Sequence, residues 1–378
     1  MSKKIYVFIA LLIISMDIKN VNANDTAKST IVMDIDTGRV LYEKNAHEKR
    51  LIASITKIMT AVIVIETADI EQEITVGEEI LKMYGTNIYI ELGEKMKIKD
   101  LLYGLLLRSG NDAATTLATN IAGSEEKFVA LMNQKAKEIG MQNTTFMNPT
   151  GLDDDTKNFS TAYDMALLSQ YAYNNNVYKE IAQTKKYSTS TRNKHYLWYN
   201  RNKLLTTYEY CTGGKNGYTP AAGKTLITTA ERGNQKITIV TLNDPQTYEN
   251  HKQLYENTFK KYKNVSIITT DQVKKIRENI YIKKEFIYPM TESEKSRIQT
   301  KIIFFKNKSK DNAIGTIEIK LDDRTIGNIK IYESEIKKEE KTLFLKIKYY
   351  VLEILKKLIL GRQNNLKPGP FVPKPLDI

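Results

Sequence analysis

Residues 58–65 form a nearly continuous hydrophobic stretch that directly follows Ser54-Ile55-Thr56-Lys57. Because apolar positions surround the whole circumference of a helix built from this stretch, the pattern predicts a buried central helix. The first turn of that helix nevertheless carries Ser54 and Lys57, and a spacing of three residues places both side chains on one face. The pattern therefore predicts a hydroxyl and an amine side by side at the start of a buried element.

Two hairpins are predicted around this helix from paired runs of strand-forming residues. The pairs are residues 29–35 with 39–42, joined through Gly38, and residues 224–230 with 235–242, joined at Gly233-Asn234. Patterns typical of helices lie between them over residues 113–121, 125–140 and 160–173. A region with strands at both ends and helices between them favours an α+β fold, in which helices pack on one antiparallel sheet.

The N-terminus carries Lys3 and Lys4, then a short apolar stretch over residues 5–14, then small and polar residues ending at Ala23. This order is typical of a secretory signal peptide, so residues 1–23 are predicted to be removed during export. The apolar stretch is too short to span a bilayer comfortably, which disfavours a retained anchor. The sequence thus predicts an exported protein at the outer face of the cytoplasmic membrane or in the cell wall.

The C-terminal third differs from the first region. After residues 24–262, alternating and lysine-rich sequence predicts a small all-β domain over residues 263–338. Within residues 339–378, apolar positions fall on one face of a helix and lysines on the other, and a proline-rich, disordered tail follows. Such a helix can dock on the β domain or lie on an anionic membrane surface, and the export signal favours the membrane surface.

The composition narrows the possible partners. The formal net charge is +13, which suits an anionic surface such as an envelope and, at this level, nucleic acid equally well. No recognisable nucleic-acid motif is present, so no nucleic-acid partner is predicted. The single cysteine, Cys211, excludes an internal disulfide, and His47, His195 and His251 lack metal-ligand spacing, so no metal site is expected.

The pairing of Ser54 with Lys57 has a chemical interpretation. A lysine at the start of a buried helix loses hydration, which lowers its pKa towards a value at which the amine can accept a proton. A serine hydroxyl beside such a base can become a nucleophile. Ser-x-x-Lys is a short motif, however, and by itself it is far more typical of Ser54 as a helix cap with Lys57 reaching into solvent.

Two further motifs follow in the chain, Ser109-Gly110-Asn111 after the apolar segment 101–107 and Lys215-Asn216-Gly217 before the second hairpin. Alone, the first is also typical of a tight turn with Asn111 capping the next helix. The order Ser-x-x-Lys, Ser-x-Asn, Lys-x-Gly on an exported chain is far more specific than any one motif.

With these motifs the sequence resembles the low-molecular-mass penicillin-binding proteins that are serine-type D-Ala-D-Ala carboxypeptidases of the peptidase S11 kind. The similarity covers roughly residues 28–262 and includes the segments 54–60, 105–113, 148–152 and 215–219. The resemblance implies a β-lactamase/transpeptidase-like α+β fold, removal of the terminal D-Ala from peptidoglycan pentapeptide stems, and inhibition by β-lactam antibiotics. It implies no metal and no organic cofactor.

The resemblance also implies roles for individual residues. Ser54 would form an acyl-enzyme, Lys57 would take its proton, and Ser109 would relay a proton to the departing D-alanine. The Asn111 amide would hold the substrate backbone.

The other implied residues would bind the substrate. Lys215 and Arg201 would hold its terminal carboxylate, assisted by Asn216. The backbone N–H groups of Ser54 and Tyr218 would form the oxyanion hole, and Gly217, which precedes Tyr218 in the third motif, would also belong to the substrate-binding site.

Two positions depart from the family pattern. Asn216 stands where the family usually has threonine, and because an amide can donate a similar hydrogen bond, altered efficiency rather than inactivity is expected. Ile52 stands where the family commonly has proline before Ala53-Ser54, which removes some rigidity from the turn but none of the chemistry.

Three alternatives stay open from the sequence. A β-lactamase commonly uses a glutamate after the second motif for deacylation, and none occurs between Glu138 and Glu180, so this alternative is disfavoured. A catalytically silent relative that binds peptidoglycan would explain Asn216 but not the retained Ser54 and Lys57. Endopeptidase action on cross-linked stem peptides is the third.

Overall fold

The computed structural model describes residues 25–192, 194–334 and 347–352, and these form two compact units. The first unit consists of the described residues up to Val265 together with the short segment Tyr288–Glu292. The second unit consists of Ser266–Ile287 and the described residues from Ser293 onward.

The helices and strands have the following bounds in chain order. The strands are β1 Ser29–Asp34, β2 Val40–Lys44, β3 Arg50–Leu51, β4 Glu73–Thr75, β5 Lys95–Lys97, β6 Phe159–Ser160, β7 Lys186–Ser190, β8 His195–Tyr199, β9 Cys211–Thr219, β10 Gly223–Arg232, β11 Gln235–Leu242, β12 Lys263–Ile268, β13 Ile280–Tyr281, β14 Phe286–Met290, β15 Ile298–Phe304, β16 Gly315–Leu321 and β17 Arg324–Glu333. The α-helices are α1 Lys57–Thr67, α2 Ile98–Tyr103, α3 Asn111–Ala122, α4 Glu125–Ile139, α5 Ala162–Tyr173, α6 Asn176–Gln183, α7 Leu204–Thr207, α8 Thr247–Lys261, α9 Thr270–Ile276 and α10 Glu292–Lys295. Short 3₁₀ turns span Ala53–Thr56 and Glu78–Lys82, and a π-helical turn spans Gly104–Arg108.

The first unit is built on a five-stranded sheet in the order β2-β1-β11-β10-β9. Its strands pair antiparallel, and both predicted hairpins, β1 with β2 and β10 with β11, are confirmed. Strands β1 and β11 are neighbours although about 200 residues separate them, with Thr30 opposite Thr241. The predicted antiparallel sheet with packed helices is therefore correct.

Hydrophobic side chains project from both faces of this sheet into two separate cores. Ile31 and Met33 of β1 belong to a large core that contains α1 and the apolar segment 101–107. Val32, on the opposite face of the same strand, packs with Leu254 and Tyr255 of α8. The alternation of a β-strand thus produces a three-layer arrangement of helices, sheet and helix.

The predicted buried central helix is confirmed, but it begins later than expected. Helix α1 starts at Lys57, and its residues from Lys57 to Val64 are all buried. Ser54 lies in the preceding 3₁₀ turn, so the nucleophile candidate and the amine candidate sit on consecutive elements rather than on one α-helical turn.

The second unit contains the four-stranded sheet β13-β17-β16-β15, whose core includes Ile317, Ile319 and Ile331. The predicted strands on either side of Asp322 are confirmed as β16 and β17. The prediction of an all-β domain is wrong, because helix α9 packs Val273 into the same core. A capping box formed by Thr269 and Gln272 starts this helix, and that signal was present in the sequence.

Residues 347–352 are helical, as the predicted amphipathic helix requires, and their apolar side chains are exposed. The rest of that helix, the proline-rich tail and the predicted signal peptide lie outside the described residues. Of the helices that the structure describes, none has both the length and the apolar character needed to cross a bilayer.

Candidate active site

Ser54 stands on a constrained backbone. The preceding residue, Ala53, has a φ of +48°, in the left-handed region that costs a residue with a side chain free energy. Two glycines pack against this turn: a Cβ on Gly151 would lie 2.1 Å from the Ala53 carbonyl oxygen, and one on Gly217 would lie 2.7 Å from the Ser54 nitrogen. Ser54 is half-buried, so its hydroxyl is fixed in place and still accessible.

Lys57 is completely buried, and its amine contacts three oxygens. Nζ lies 3.1 Å from Ser54 Oγ and 2.7 Å from Asn111 Oδ1, and it donates a short hydrogen bond to the Thr150 carbonyl. The amide and backbone carbonyls can only accept, whereas an uncharged amine has two N–H groups and one lone pair. Hydrogen bonds to both carbonyls therefore direct the lone pair towards the Ser54 hydroxyl, which is the arrangement a general base needs.

Burial lowers the pKa of Lys57 to about 7, and the nearby Asp112 carboxylate opposes that shift. Repulsion between neighbouring cations is a second way to lower the pKa of an amine. In the structure that repulsion acts chiefly on Lys215, whose pKa is held well below its usual value by burial first, and then by Lys57 and Arg201. Desolvation is thus the main reason that the Lys57 amine can be uncharged near neutral pH.

The second motif lies where the π-helical turn Gly104–Arg108 meets α3. Ser109 adopts the left-handed conformation with φ +68° and is buried, and within the described residues its hydroxyl has no hydrogen-bond partner. Asn111 begins α3, and its Nδ2 donates to the Tyr84 carbonyl at 2.7 Å, while its Oδ1 accepts from Lys57. The Asn111 amide is therefore held with its oxygen towards the amine.

The third motif lies on β9, which runs beside Ser54. Lys215 is fully buried and donates to the Asn216 carbonyl at 2.6 Å, Asn216 is half-buried, and the Tyr218 side chain is 64% exposed. Gly217 allows the strand to approach the Ser54 backbone, because any side chain would collide with it. The backbone of β9 thus forms one wall beside the serine.

Arg201 lies in the same region. Its guanidinium is exposed and donates to Thr86 Oγ1 at 3.2 Å, and its charge is close enough to Lys215 to depress the pKa of that amine. Lys215 and Arg201 together form a positively polarised end of the site. The structure therefore brings residues from all three motifs and Arg201 into one neighbourhood, whereas it shows no direct bond from Ser109 to Ser54 or Lys57.

Sequence reasoning missed several residues that build this site. Asp112 is buried and accepts hydrogen bonds from the backbone N–H groups of Ile88, Tyr89 and Ile90, which fixes the loop beside Asn111. The Thr150 carbonyl contacts Lys57, although residues 148–152 had been noted only as part of the family resemblance. A backbone carbonyl leaves no signature in residue type, so only a structure can find it.

A loop of three consecutive aspartates closes one side of the site. Asp153 accepts from Thr219 Oγ1 at the end of β9, and Asp154 accepts a short hydrogen bond from the Tyr84 hydroxyl. Within the residues that the structure describes, no group of three or more His, Cys, Asp or Glu side chains could hold a metal ion.

Comparison with known families adds a decisive observation. A family described as D-alanyl-D-alanine carboxypeptidase, Peptidase S11, matches residues 17–246, which include every residue of the site. This chain belongs to that family. The S11 relatives include D-alanyl-D-alanine carboxypeptidase DacF of Bacillus subtilis, 37% identical over 234 residues. DacC of Escherichia coli is 38% identical over 228 residues.

The alignments cover 60% and 57% of this chain and span 60% and 56% of the two relatives. Among solved structures, a D-alanyl-D-alanine carboxypeptidase from Mycobacterium tuberculosis shares 30% identity with a TM-score of 0.60, covering 62% of this chain and 92% of that one. Penicillin binding protein 6B from Escherichia coli shares 26% identity with a TM-score of 0.65, covering 81% and 95%. The S11 fold predicted from the motifs is thus confirmed.

Proposed function

We propose that this protein is a serine-type D-alanyl-D-alanine carboxypeptidase that removes the terminal D-Ala from peptidoglycan pentapeptide stems. The observation that carries the proposal is the contact between the buried Lys57 amine and the accessible Ser54 hydroxyl, on a chain of the S11 family. Both carbonyl acceptors of Lys57 leave its lone pair for Ser54, so the amine is arranged as a base.

In the proposed acylation step, Lys57 Nζ takes the proton from Ser54 Oγ while the oxygen attacks the carbonyl carbon between the two D-alanines. The N–H groups of Ser54 and Tyr218 stabilise the oxyanion of the tetrahedral intermediate. The intermediate collapses by breaking the peptide C–N bond, and the departing D-Ala amine takes a proton that originates on Lys57 and is relayed by Ser109. The product is an acyl-enzyme on Ser54.

In the proposed deacylation step, a water molecule gives a proton to Lys57 and attacks the ester carbonyl. The ester C–O bond breaks, Ser54 regains its proton from Lys57, and the new carboxyl group of the shortened stem peptide releases its own proton to solvent and leaves as a carboxylate. Lys57 is uncharged at the start of both steps, which the lowered pKa favours.

Substrate binding involves the polarised end of the site. The terminal carboxylate of the stem peptide would lie against Lys215 and Arg201, with the Asn216 amide as an additional donor. An anion placed there stabilises the protonated form of Lys215 and so offsets the burial that lowers its pKa. Asn111 would hold the substrate backbone at the opposite side of Ser54.

We propose further that β-lactams acylate Ser54 and inhibit the protein. The segment between Glu138 and Glu180, where a β-lactamase commonly carries its deacylating glutamate, contains no glutamate, so slow hydrolysis of a penicilloyl-enzyme is expected. Turnover of nitrocefin at many equivalents per enzyme would contradict this proposal and would favour a β-lactamase.

The signal-peptide pattern and the C-terminal helix support an exported protein at the outer face of the cytoplasmic membrane, with the helix bound to the anionic lipid surface. Separation of cell fractions, with and without residues 339–378, tests this location. A truncated protein that stays with the membrane would argue against the helix as the anchor.

The decisive experiment for the activity measures D-Ala released from a peptide that ends in D-Ala-D-Ala, with Ser54→Ala as the matched control. The wild-type protein should release D-Ala and be labelled covalently by a fluorescent penicillin, and Ser54→Ala should do neither. Absence of labelling in the wild type would support a silent peptidoglycan-binding relative. Consumption of cross-linked dimers in a muropeptide digest would instead support an endopeptidase.

A further inference from the structure

The carbonyl group of Thr150 is one of the two carbonyl acceptors of Lys57, and its position is set by the turn that carries it. Asn111 presents its acceptor on a side chain, whereas Thr150 presents a backbone oxygen within the turn of residues 148–151. A shift of this turn would free one N–H of the uncharged amine and allow the lone pair to rotate away from Ser54. What holds the turn therefore bears directly on the base.

Asn148 closes the turn from inside. Its side chain is 4% exposed, and Oδ1 accepts from the backbone nitrogens of Thr150 at 3.1 Å and Gly151 at 2.7 Å. Its Nδ2 donates to the Leu152 carbonyl at 2.9 Å and to Thr156 Oγ1 at 2.8 Å. The two N–H groups on either side of the Thr150 carbonyl thus bind one amide oxygen, which fixes the direction of that carbonyl.

Asn158 ties the turn to the segment that carries the reacting groups. It is 2% exposed, and its Oδ1 accepts from the backbone nitrogens of Met147 at 2.6 Å and Asn148 at 3.1 Å. Its Nδ2 donates to the Asn148 carbonyl and to Thr56 Oγ1, both at 3.0 Å. Thr56 directly precedes Lys57, so a single buried amide connects the turn to the base.

Asn158 can connect the turn of residues 148–151 with Thr56 directly because this turn packs tightly on the segment 53–60. Gly151 has a φ of +85° and approaches the Ala53 carbonyl so closely that no side chain fits. On the other side of the turn, the Pro149 carbonyl accepts from Thr60 Oγ1 of α1 at 2.7 Å. The turn of residues 148–151 therefore contacts the segment 53–60 at both of its ends, and the buried amides of Asn148 and Asn158 set its orientation there.

We propose that Asn148 and Asn158 are positioning residues for the general base, which hold the Thr150 carbonyl against Lys57 so that the amine lone pair faces Ser54. Neither side chain touches Ser54 or Lys57, and the effect is transmitted through the turn and through Thr56. The inference rests on the proposed function, because it assigns a role within the acylation step.

The chemistry gives a signature that simple destabilisation would not. The Thr150 carbonyl also stabilises the protonated amine, so its removal should lower the pKa of Lys57 further. The charged groups that act on this cluster, Asp112 and Lys215 with Arg201 beside it, are unchanged in the variants. Loss of positioning should therefore reduce the acylation rate at its plateau and move the acidic limb of its pH profile to lower pH.

The test compares Asn158→Ala with the matched control Asn133→Ala. Asn133 also holds the chain just before the turn: its side chain donates to the Phe146 carbonyl and accepts from the Phe146 nitrogen. It forms no hydrogen bond with residues 148–151. The second-order rate of labelling by a fluorescent penicillin is measured from pH 5 to 9, with thermal unfolding to give the folded fraction.

The wild type should reach half of its maximal rate near pH 7. In Asn158→Ala the maximal labelling rate should fall by about 10- to 100-fold, because small displacements of a reacting group have effects of that size. The pH at which the rate is half-maximal should also be lower than in the wild type. Asn133→Ala should keep the wild-type rate and midpoint per folded molecule.

A second variant, Thr56→Val, removes the bond to Asn158 with little change in side-chain shape, and it decides the question if Asn158→Ala does not fold. It should shift the rate and the midpoint in the same direction by a smaller amount. A folded Asn158→Ala or Thr56→Val that keeps both the rate and the midpoint would overturn the inference and leave the proposed function intact. Failure of the wild type to be labelled would instead remove the proposed function and this inference with it.

Discussion

Lys57 and His251 are both completely buried bases of the first compact unit, and both hydrogen-bond with side-chain hydroxyls. Lys57 lies 3.1 Å from Ser54 Oγ, and the two ring nitrogens of His251 lie 2.7 Å from Thr228 Oγ1 and 2.9 Å from Thr241 Oγ1. Burial lowers the pKa of both, to about 7 for Lys57 and about 3 for His251.

The two regions differ in what surrounds the hydroxyl. Thr228 and Thr241 are fully buried, and both nitrogens of His251 are engaged, so this base has neither a free lone pair nor a substrate within reach. Ser54 is half-buried beside the strained Ala53, and both hydrogens of the uncharged Lys57 amine are taken by carbonyls. A buried base becomes reactive when its lone pair faces an accessible hydroxyl, and a lowered pKa alone does not indicate a site.

The largest effect is expected from Lys57→Ala. Loss of the base should reduce acylation by a fluorescent penicillin about 10²–10⁴-fold while the serine remains present. The rate constant of labelling under single-turnover conditions measures this effect. A variant that retained more than a tenth of the wild-type rate would show that another group accepts the Ser54 proton.

Gly217→Ala should have the next largest effect. Its new Cβ would lie 2.7 Å from the Ser54 nitrogen, so β9 or the serine turn must move. A displacement of about 1 Å at the reacting groups reduces rates by roughly 10²-fold. Gly233→Ala, at the hairpin of β10 and β11, is the matched control, because a Cβ there meets nothing within 4 Å. It should lose some stability, since φ is +62°, and keep the acylation rate.

His251→Leu should change stability and leave the chemistry alone. It deprives the buried Thr228 and Thr241 hydroxyls of a partner, which is expected to lower the free energy of unfolding by about 1–3 kcal/mol. Denaturant titration measures the loss, and the acylation rate per folded molecule should equal that of the wild type. A selective fall in that rate would mean that the second buried base takes part in the reaction.

The same variant has a pH signature. As pH falls from about 6.5 to about 3, the unfolded chain protonates its histidine while the folded chain does not, so stability contributed by neutral His251 is lost in that range. In His251→Leu the pH dependence of unfolding should therefore be weaker between these values than in the wild type.

The smallest effect is expected from Asn216→Thr, which restores the residue usual in the family. Both side chains can donate one hydrogen bond to a carboxylate, so the change in kcat/KM should stay within a few-fold, below about 1 kcal/mol. Steady-state kinetics on a D-Ala-D-Ala peptide measures it. A gain of 10²-fold would mean that Asn216 impairs this protein and would revive the silent-relative interpretation.

Local patterns predicted much of the fold. The hairpins at Gly38 and Gly233, the buried run after Lys57 and the helices ending at Gly140 and Tyr173 depend on neighbouring residues, whose periodicity is visible in the chain. The interpretation of residues 263–338 as all-β failed at α9, where strand-like alternation on either side concealed a short helix with its own capping box.

The sequence by itself determined which side chains are available for the chemistry and in what order they occur, and it placed Ser54 near Lys57 because three residues separate them. Tertiary structure alone decided that the Thr150 carbonyl meets the amine 93 residues earlier in the chain, whereas the desolvation that lowers the pKa of Lys57 was expected from the apolar run that follows it. Backbone carbonyls are identical at every position, so residue types alone cannot indicate which of them will contact a given side chain.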